Sequence, residues 1–240
     1  MDTRRTVASI FAGAAALMLF LPAHAFNFNK SINVEAGSES DGHSTLNGSI
    51  TVGDSAIVNG SLETVNGRIS IDDNAEVEDA ETVNGSIRLG AGVNAGDISS
   101  VNGTISIGEG STIDGELSVV NGKISLAMDV SVTDDVSNVN GEIDLSGAGI
   151  GGDLTTVNGD ITLSNASTVQ GDLVVERPNG GSWRDRDRRP RIIIGPGSRV
   201  LGEIRLEREV ELYISDSAEV GGVSGVMSMD DAERFSGERP

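Results

Sequence analysis

Asparagine followed by glycine recurs along this chain at a nearly fixed interval, and that interval limits the fold more than any other feature. The asparagines are Asn47, Asn66, Asn84, Asn102, Asn121, Asn140 and Asn158, spaced 19, 18, 18, 19, 19 and 18 residues apart. The surrounding units read TLNGSITV, TVNGRISI, TVNGSIRL, SVNGTISI, VVNGKISL, NVNGEIDL and TVNGDITL. A period of this length marks a stacked repeat and outranks residue-by-residue propensity.

Each position in the unit has its own chemistry. Three residues after every Asn stands Ile, from Ile50 and Ile69 to Ile161, and five after it Val52, Ile71, Leu89, Ile107, Leu126, Leu145 or Leu163. Polar residues separate them, so this is the period-two alternation of a short half-buried strand. A second apolar position falls mid-repeat, at Val58, Val77, Val93, Ile113, Val132, Ile150 and Val169. A third lies four residues before the next Asn, at Leu62, Ala80, Ile98, Leu117, Val136 and Leu154. Three short strands per 18–19 residues make one triangular coil. The expected fold is an all-β, single-stranded parallel β-solenoid of about ten coils.

The rival is an array of hairpins, because Asn-Gly favours a two-residue type I′ turn. Such a turn at Asn66-Gly67 puts Leu62, Ile69 and Ile71 on one face and Val65 on the other. Every unit has Leu or Val before its Asn, and a solenoid corner can turn both flanks inward. A solenoid also explains the motif. Stacked coils lie about 4.8 Å apart, so the seven asparagines form a ladder of side-chain amides, as in other stacked Asn arrays. Gly follows where a corner needs a conformation that a Cβ opposes. One coil buries too little to offset its ordering entropy, so the coils fold as a stack.

Residues 1–25 read as a secretory signal peptide: Arg4 and Arg5, an apolar run, then Ala23-His24-Ala25. The run is too short for a membrane span. The solenoid is expected over residues 26–224, with a loop insertion at 177–191 and a tail or cap at 225–240. The location implied is the periplasm, the cell surface or the medium, with no membrane span in the mature form. Cysteine is absent, which excludes disulfides and thiolate metal sites. Phe26 and Phe28 are expected to cap the first coil, and Ser228–Phe235 to form a helical turn, capped by Ser228, over the last.

Charge is unevenly placed. Residues 26–176 hold 4 basic and 24 acidic side chains, whereas residues 177–240 hold 11 and 12. The acidic body argues against nucleic-acid partners. The insertion RPNGGSWRDRDRRPR carries six of the 15 arginines and the only Trp. Arg177, Trp183, Arg184, Arg186, Arg188, Arg189 and Arg191 are the candidate partner-binding residues, since guanidinium groups pair with carboxylates or phosphates and Trp supplies an apolar anchor. The partners to expect are the rod's own acidic flank or a second copy, including end-to-end association, or an anionic envelope polysaccharide or protein.

No catalytic set is recognisable. His43 is the only histidine after the leader and stands at an aliphatic position of the repeat, as an end-coil packing residue. Asp72-Asp73, Asp134-Asp135 and Asp153 lie at turns suited to Ca²⁺, but no calcium-loop spacing surrounds them. No cofactor or metal is expected. A polysaccharide lyase or hydrolase is the enzyme alternative, and the sequence lacks the long loops and aromatic platforms of such a cleft.

The V-N-G-x-I-x-I units resemble those of exported bacterial β-solenoid proteins of the auto-transporter adhesin head type. GSRVLGEIRLEREVELYISDSAEVGG is similar to bactofilins, the polymer-forming cytoskeletal family. These resemblances imply a structural or adhesive, non-enzymatic role, or a self-polymerising scaffold. Bactofilins are typically cytoplasmic, unlike a chain with a cleavable leader.

Overall fold

The computed structural model describes residues 28–178 and 188–240. It is a parallel β-solenoid of about ten turns with three sides per turn. Side one collects the strands after each Asn corner, from Ile32–Val34 through Ile69–Ile71 and Ile105–Ile107 to Glu233–Phe235, eleven in parallel order. Side two collects the mid-coil strands, such as Glu76–Val77 and Thr112–Ile113. Side three collects the strands before the corner, such as Ala80–Asn84 and Ile98–Asn102. Sides two and three count as one sheet because Glu39–Thr45 and Ile57–Asn66 run unbroken through the corner between them. Every strand pairing is parallel, so the hairpin alternative is not adopted.

Equivalent positions stack in register. Ile50, Ile69, Ile87, Ile105, Ile124, Ile143 and Ile161 form one column, and Ile192 continues it after the insertion. All eight are buried completely. At about 2 kcal/mol for each aliphatic taken from water, such columns are the main stabilising term.

Two register details differ from the expectation. Ala95, not Val93, stands between Val77 and Ile113 on side two. Val93 is buried at the preceding corner instead. The Leu or Val before the Asn does not turn inward in six of the seven units: Leu46, Val65, Val83, Val101, Val120 and Val139 are only half-buried, and Val157 alone is buried. Strand alternation decides this, since burial of Leu62 and Thr64 puts Val65 outside. Thr45, Thr64, Thr82 and Ser100 take the inner place. Their hydroxyls donate to the carbonyls of Lys30, Gly48, Gly67 and Gly85 in the preceding coil, at 3.0–3.3 Å.

Stacking accounts for the motif glycine in every coil, and a positive φ adds to it at Gly122 (+157°) and Gly141 (+138°). A Cβ on Gly85 would overlap the Gly67 carbonyl oxygen, and one on Gly103 the Gly85 carbonyl oxygen. Neither residue has a positive φ. Close axial approach, not corner conformation, excludes a side chain there.

The two ends are built differently. In the first coil sides two and three carry polar inward residues, where Ser40 pairs with Val58, His43 with Leu62 and Thr45 with Thr64, whereas Ile32 and Val34 continue the apolar columns of side one. The ring of Phe28 does not cap this coil; Phe28 is 67% exposed, and its carbonyl accepts the Asn47 N–H. Phe26 lies outside the described residues. At the other end Val220, Val223, Met227, Met229 and Ala232 pack against the core. A short 3-10 turn, Met229–Asp231, forms there. Ser228 donates to the Asp231 carboxylate from both its N–H and its hydroxyl. Glu233–Phe235 then joins side one beside Glu211–Ser215, so the sheet runs beyond residue 224. Polar or folded-over terminal coils are what a stack needs to meet water.

Candidate functional site

The strands that end at each Asn corner bring the asparagines into one column. Nδ2 of Asn66 donates to Oδ1 of Asn47, and the pattern continues through Asn84, Asn102, Asn121, Asn140 and Asn158 at 2.8–3.0 Å. The column starts one coil earlier than the motif shows, because Asn47 donates to Asn29. Asn29 precedes Ile32 by three residues, as each motif Asn precedes its Ile. Lys30 in place of the glycine hides it.

At the other end the column passes to arginine. Register places Arg189 and Glu209 in the next two Asn positions, since Ile161 pairs with Ile192 and Ile192 with Leu212. These two side chains form an ion pair, both more than half exposed. Arg208 reaches past that coil: its Nη1 donates to Oδ1 of Asn158 at 2.8 Å and to the Val157 carbonyl at 3.1 Å. Its Nη2 donates to the Arg188 carbonyl. Arg188 in turn donates to the Asn158 carbonyl and to Asp160 Oδ2, and Asp160 also accepts the Arg191 N–H. Arg177 binds Glu207, and the Arg191 guanidinium lies 4.8 Å from the Tyr213 ring centroid.

The structure therefore brings Arg177, Arg188, Arg189 and Arg191 to one corner, at the coils flanking the insertion. Trp183, Arg184 and Arg186 lie outside the described residues. Arg188 is committed to the rod itself; Arg189 lines a 340 Å³ groove with Glu209, Val210, Val226, Met227 and Asp231, and Arg191 lies beside Tyr213 on side one. Arg208, which organises the corner, was not singled out from the sequence. Nothing local distinguishes it from the neighbouring charges of LEREVEL.

The acidic residues form a second ladder, at the corner entering side three. Asp79 Oδ1 accepts the Asp97 N–H, Asp97 the Glu116 N–H, Asp135 the Asp153 N–H, Asp153 the Asp172 N–H and Asp172 the Glu203 N–H, at 2.7–2.9 Å. The Gly in each following Gly-Asp or Gly-Glu pair leaves room for the carboxylate: a Cβ on Gly115 would overlap Asp97, and one on Gly171 would overlap Asp153. Asp73 likewise accepts the Ala91 N–H. Three of the aspartates considered for Ca²⁺, Asp73, Asp135 and Asp153, thus serve as acceptors for the neighbouring coil.

Stacked acids raise one another's pKa. Glu81 is pushed up to about 6 by burial first, and then by Glu63, Asp79 and Asp97. Burial, followed by neighbouring carboxylates, also raises Glu116 and Glu176. Burial raises Glu63 against the opposing Ser44 hydrogen bond. His43 is half-buried, with Nε2 3.2 Å from Ser40 Oγ, and burial lowers its pKa against the opposing Asp41. It sits alone in the Leu62 column, where a packing role suffices.

Comparison with known protein families, with curated proteins and with solved structures returned no match. The fold and the corner chemistry are therefore the grounds for any functional reading.

Proposed function

We propose that this chain is an exported, non-enzymatic rod of the bacterial envelope, with a structural or adhesive role, that meets its partner at the arginine corner. The observation that carries the reading is the concentration of positive charge at one point of an otherwise acidic solenoid. Arg189 lines the groove there and Arg191 lies beside Tyr213, on a frame that Arg188 and Arg208 hold against Asn158 and Asp160. A frame fixed by charge-assisted bonds presents its remaining guanidinium groups in set positions, which suits an anionic polysaccharide or an acidic protein surface.

The last coil supports a single rod over a polymer, since Met227, Met229 and Ala232 pack against its core, and the first coil carries Ser40 and His43 where the next carries Val58 and Leu62. About ten coils at the strand spacing give a length near 50 Å.

The test has two parts. Fractionation of cells making the full chain, with sequencing of the mature N-terminus, is expected to find a processed protein in the envelope or medium; an unprocessed cytoplasmic protein would overturn export. Binding of the mature chain to anionic envelope polysaccharide is expected to drop at least about tenfold in an Arg189→Ala/Arg191→Ala double variant, the effect of losing a buried or well-ordered charge contact. Equal binding by both proteins would remove the corner from the account.

A further inference from the structure

Eight Asn-Gly dipeptides lie among the described residues: the seven of the ladder, and Asn59-Gly60 on the strand Ile57–Asn66. Asn-Gly is chemically labile. With no Cβ on the glycine to obstruct it, the glycine nitrogen can approach the asparagine side-chain carbon. The deprotonated nitrogen attacks Cγ, a new C–N bond forms, the Cγ–Nδ2 bond breaks, and Nδ2 departs as ammonia. Water then opens the succinimide at either carbonyl and leaves aspartate or isoaspartate. One water is consumed and one ammonia released, with no change in oxidation state.

For that attack the asparagine side chain must swing out of its hydrogen bonds. Each ladder asparagine is held at both ends of its amide. Asn102, for example, donates to Asn84 and accepts from Asn121, while Asn158 donates to Asn140 and accepts from Arg208. Several of the attacking nitrogens are also tied: Gly85, Gly103 and Gly122 donate to the carbonyls of Asn102, Asn121 and Asn140, and Gly159 donates to Thr156 Oγ1.

Asn59 is placed differently. It is exposed, stands outside the ladder, and has one side-chain bond, from Nδ2 to Glu39 Oε1 at 2.7 Å. It also sits where the pairing of Glu39–Thr45 with Ile57–Asn66 slips register, between Asp41 and His43.

We propose that Asn59 is a hydrolytic modification site of the folded protein, with water as co-reactant, and that the ladder suppresses the same reaction at the seven motif asparagines. The product places a new carboxylate against Glu39, and the isoaspartate form lengthens the backbone of the strand that joins sides two and three.

The experiment is peptide mapping by mass spectrometry, with isoaspartate detection, on the full chain incubated folded at mildly alkaline pH and, in parallel, unfolded in urea. Folded, Asn59 is expected to convert about ten times faster than the ladder asparagines or more, since each additional hydrogen bond to be broken slows the reaction by about fivefold. In urea the eight sites are expected to converge. Ladder sites converting as fast as Asn59 in the folded chain would overturn the protection, and an intact Asn59 in folded protein would overturn the site. Arg208→Ala supplies a second readout: conversion is expected to accelerate at Asn158 and not at Asn102. An unchanged rate at Asn158 would show that side-chain bonding does not control the reaction.

Discussion

Arg208 donates a hydrogen bond to Oδ1 of Asn158, 50 residues earlier in the chain, across an intervening coil. A single guanidinium thus ends the asparagine ladder and fixes the corner from which the insertion leaves and returns. Arg208→Ala removes bonds to Asn158, to the Val157 carbonyl and to the Arg188 carbonyl. Hydrogen bonds involving a charged group contribute about 1.5–3 kcal/mol, so urea denaturation is expected to show a loss of about 2–3 kcal/mol. Arg208→Lys is expected to recover only part of it, because an ammonium lacks the planar fork. Wild-type stability in the alanine variant would mean that the corner is held by the backbone alone.

Within the ladder, Asn102→Ala leaves Oδ1 of Asn84 and Nδ2 of Asn121 without their partners. The column is exposed, so the two bonds together contribute about 1–3 kcal/mol. For a domain of this size that lowers Tm by about 2–4 °C per kcal/mol. Calorimetry of the variant checks this, and an unchanged Tm would deny the ladder a stabilising role.

Glycine substitutions separate stacking from conformation. Gly85→Ala drives a methyl into the Gly67 carbonyl oxygen, whereas a Cβ on Gly149 meets no atom within 4 Å. The first is expected to destabilise by about 3 kcal/mol, as overpacking does. The second is expected to stay within about 0.5 kcal/mol of wild type. Chemical denaturation of the pair is the measurement, and equal effects would contradict the axial-contact explanation of the motif.

Acid is expected to stabilise this rod. Glu81 has a folded pKa raised to about 6. Its contribution is fully present below the unfolded value near 4.5 and is lost as pH rises through about 6. Glu63, Glu116 and Glu176 are shifted in the same direction. His43, lowered by burial, acts oppositely: its contribution is present above pH 6.5 and declines as pH falls. Four carboxylates outweigh one imidazole, so Tm is expected to rise from pH 7 to pH 5, and Glu81→Gln to flatten the rise. A Tm that falls over that interval would show that burial and neighbouring carboxylates do not hold these four groups above their unfolded pKa.

Much of this was legible in the sequence because a fixed period leaves few topologies open. The Ile columns, the parallel stack and the place of each motif Asn follow from spacing and alternation. What escaped was whatever broke the local pattern while keeping its register. Asn29 lacks the following glycine, Ala95 is too small to read as a core position beside Val93, and the first coil hides its place behind Ser40 and His43. Thr64 and its equivalents carry no local sign of burial, because a buried hydroxyl shows its acceptor, a carbonyl of the previous coil, only in three dimensions. Arg208 is recognisable only once the chain is wound, since its partner lies two coils away.

We propose a single rod that meets its partner at the arginine corner and does not join end to end. Sedimentation velocity of the purified mature chain, with negative-stain microscopy of the same sample, tests it most directly. An elongated monomer, about 50 Å long at the strand spacing, is expected over the whole accessible concentration range. Filaments, or a concentration-dependent series of oligomers joined end to end, would contradict the single rod and favour a self-polymerising scaffold.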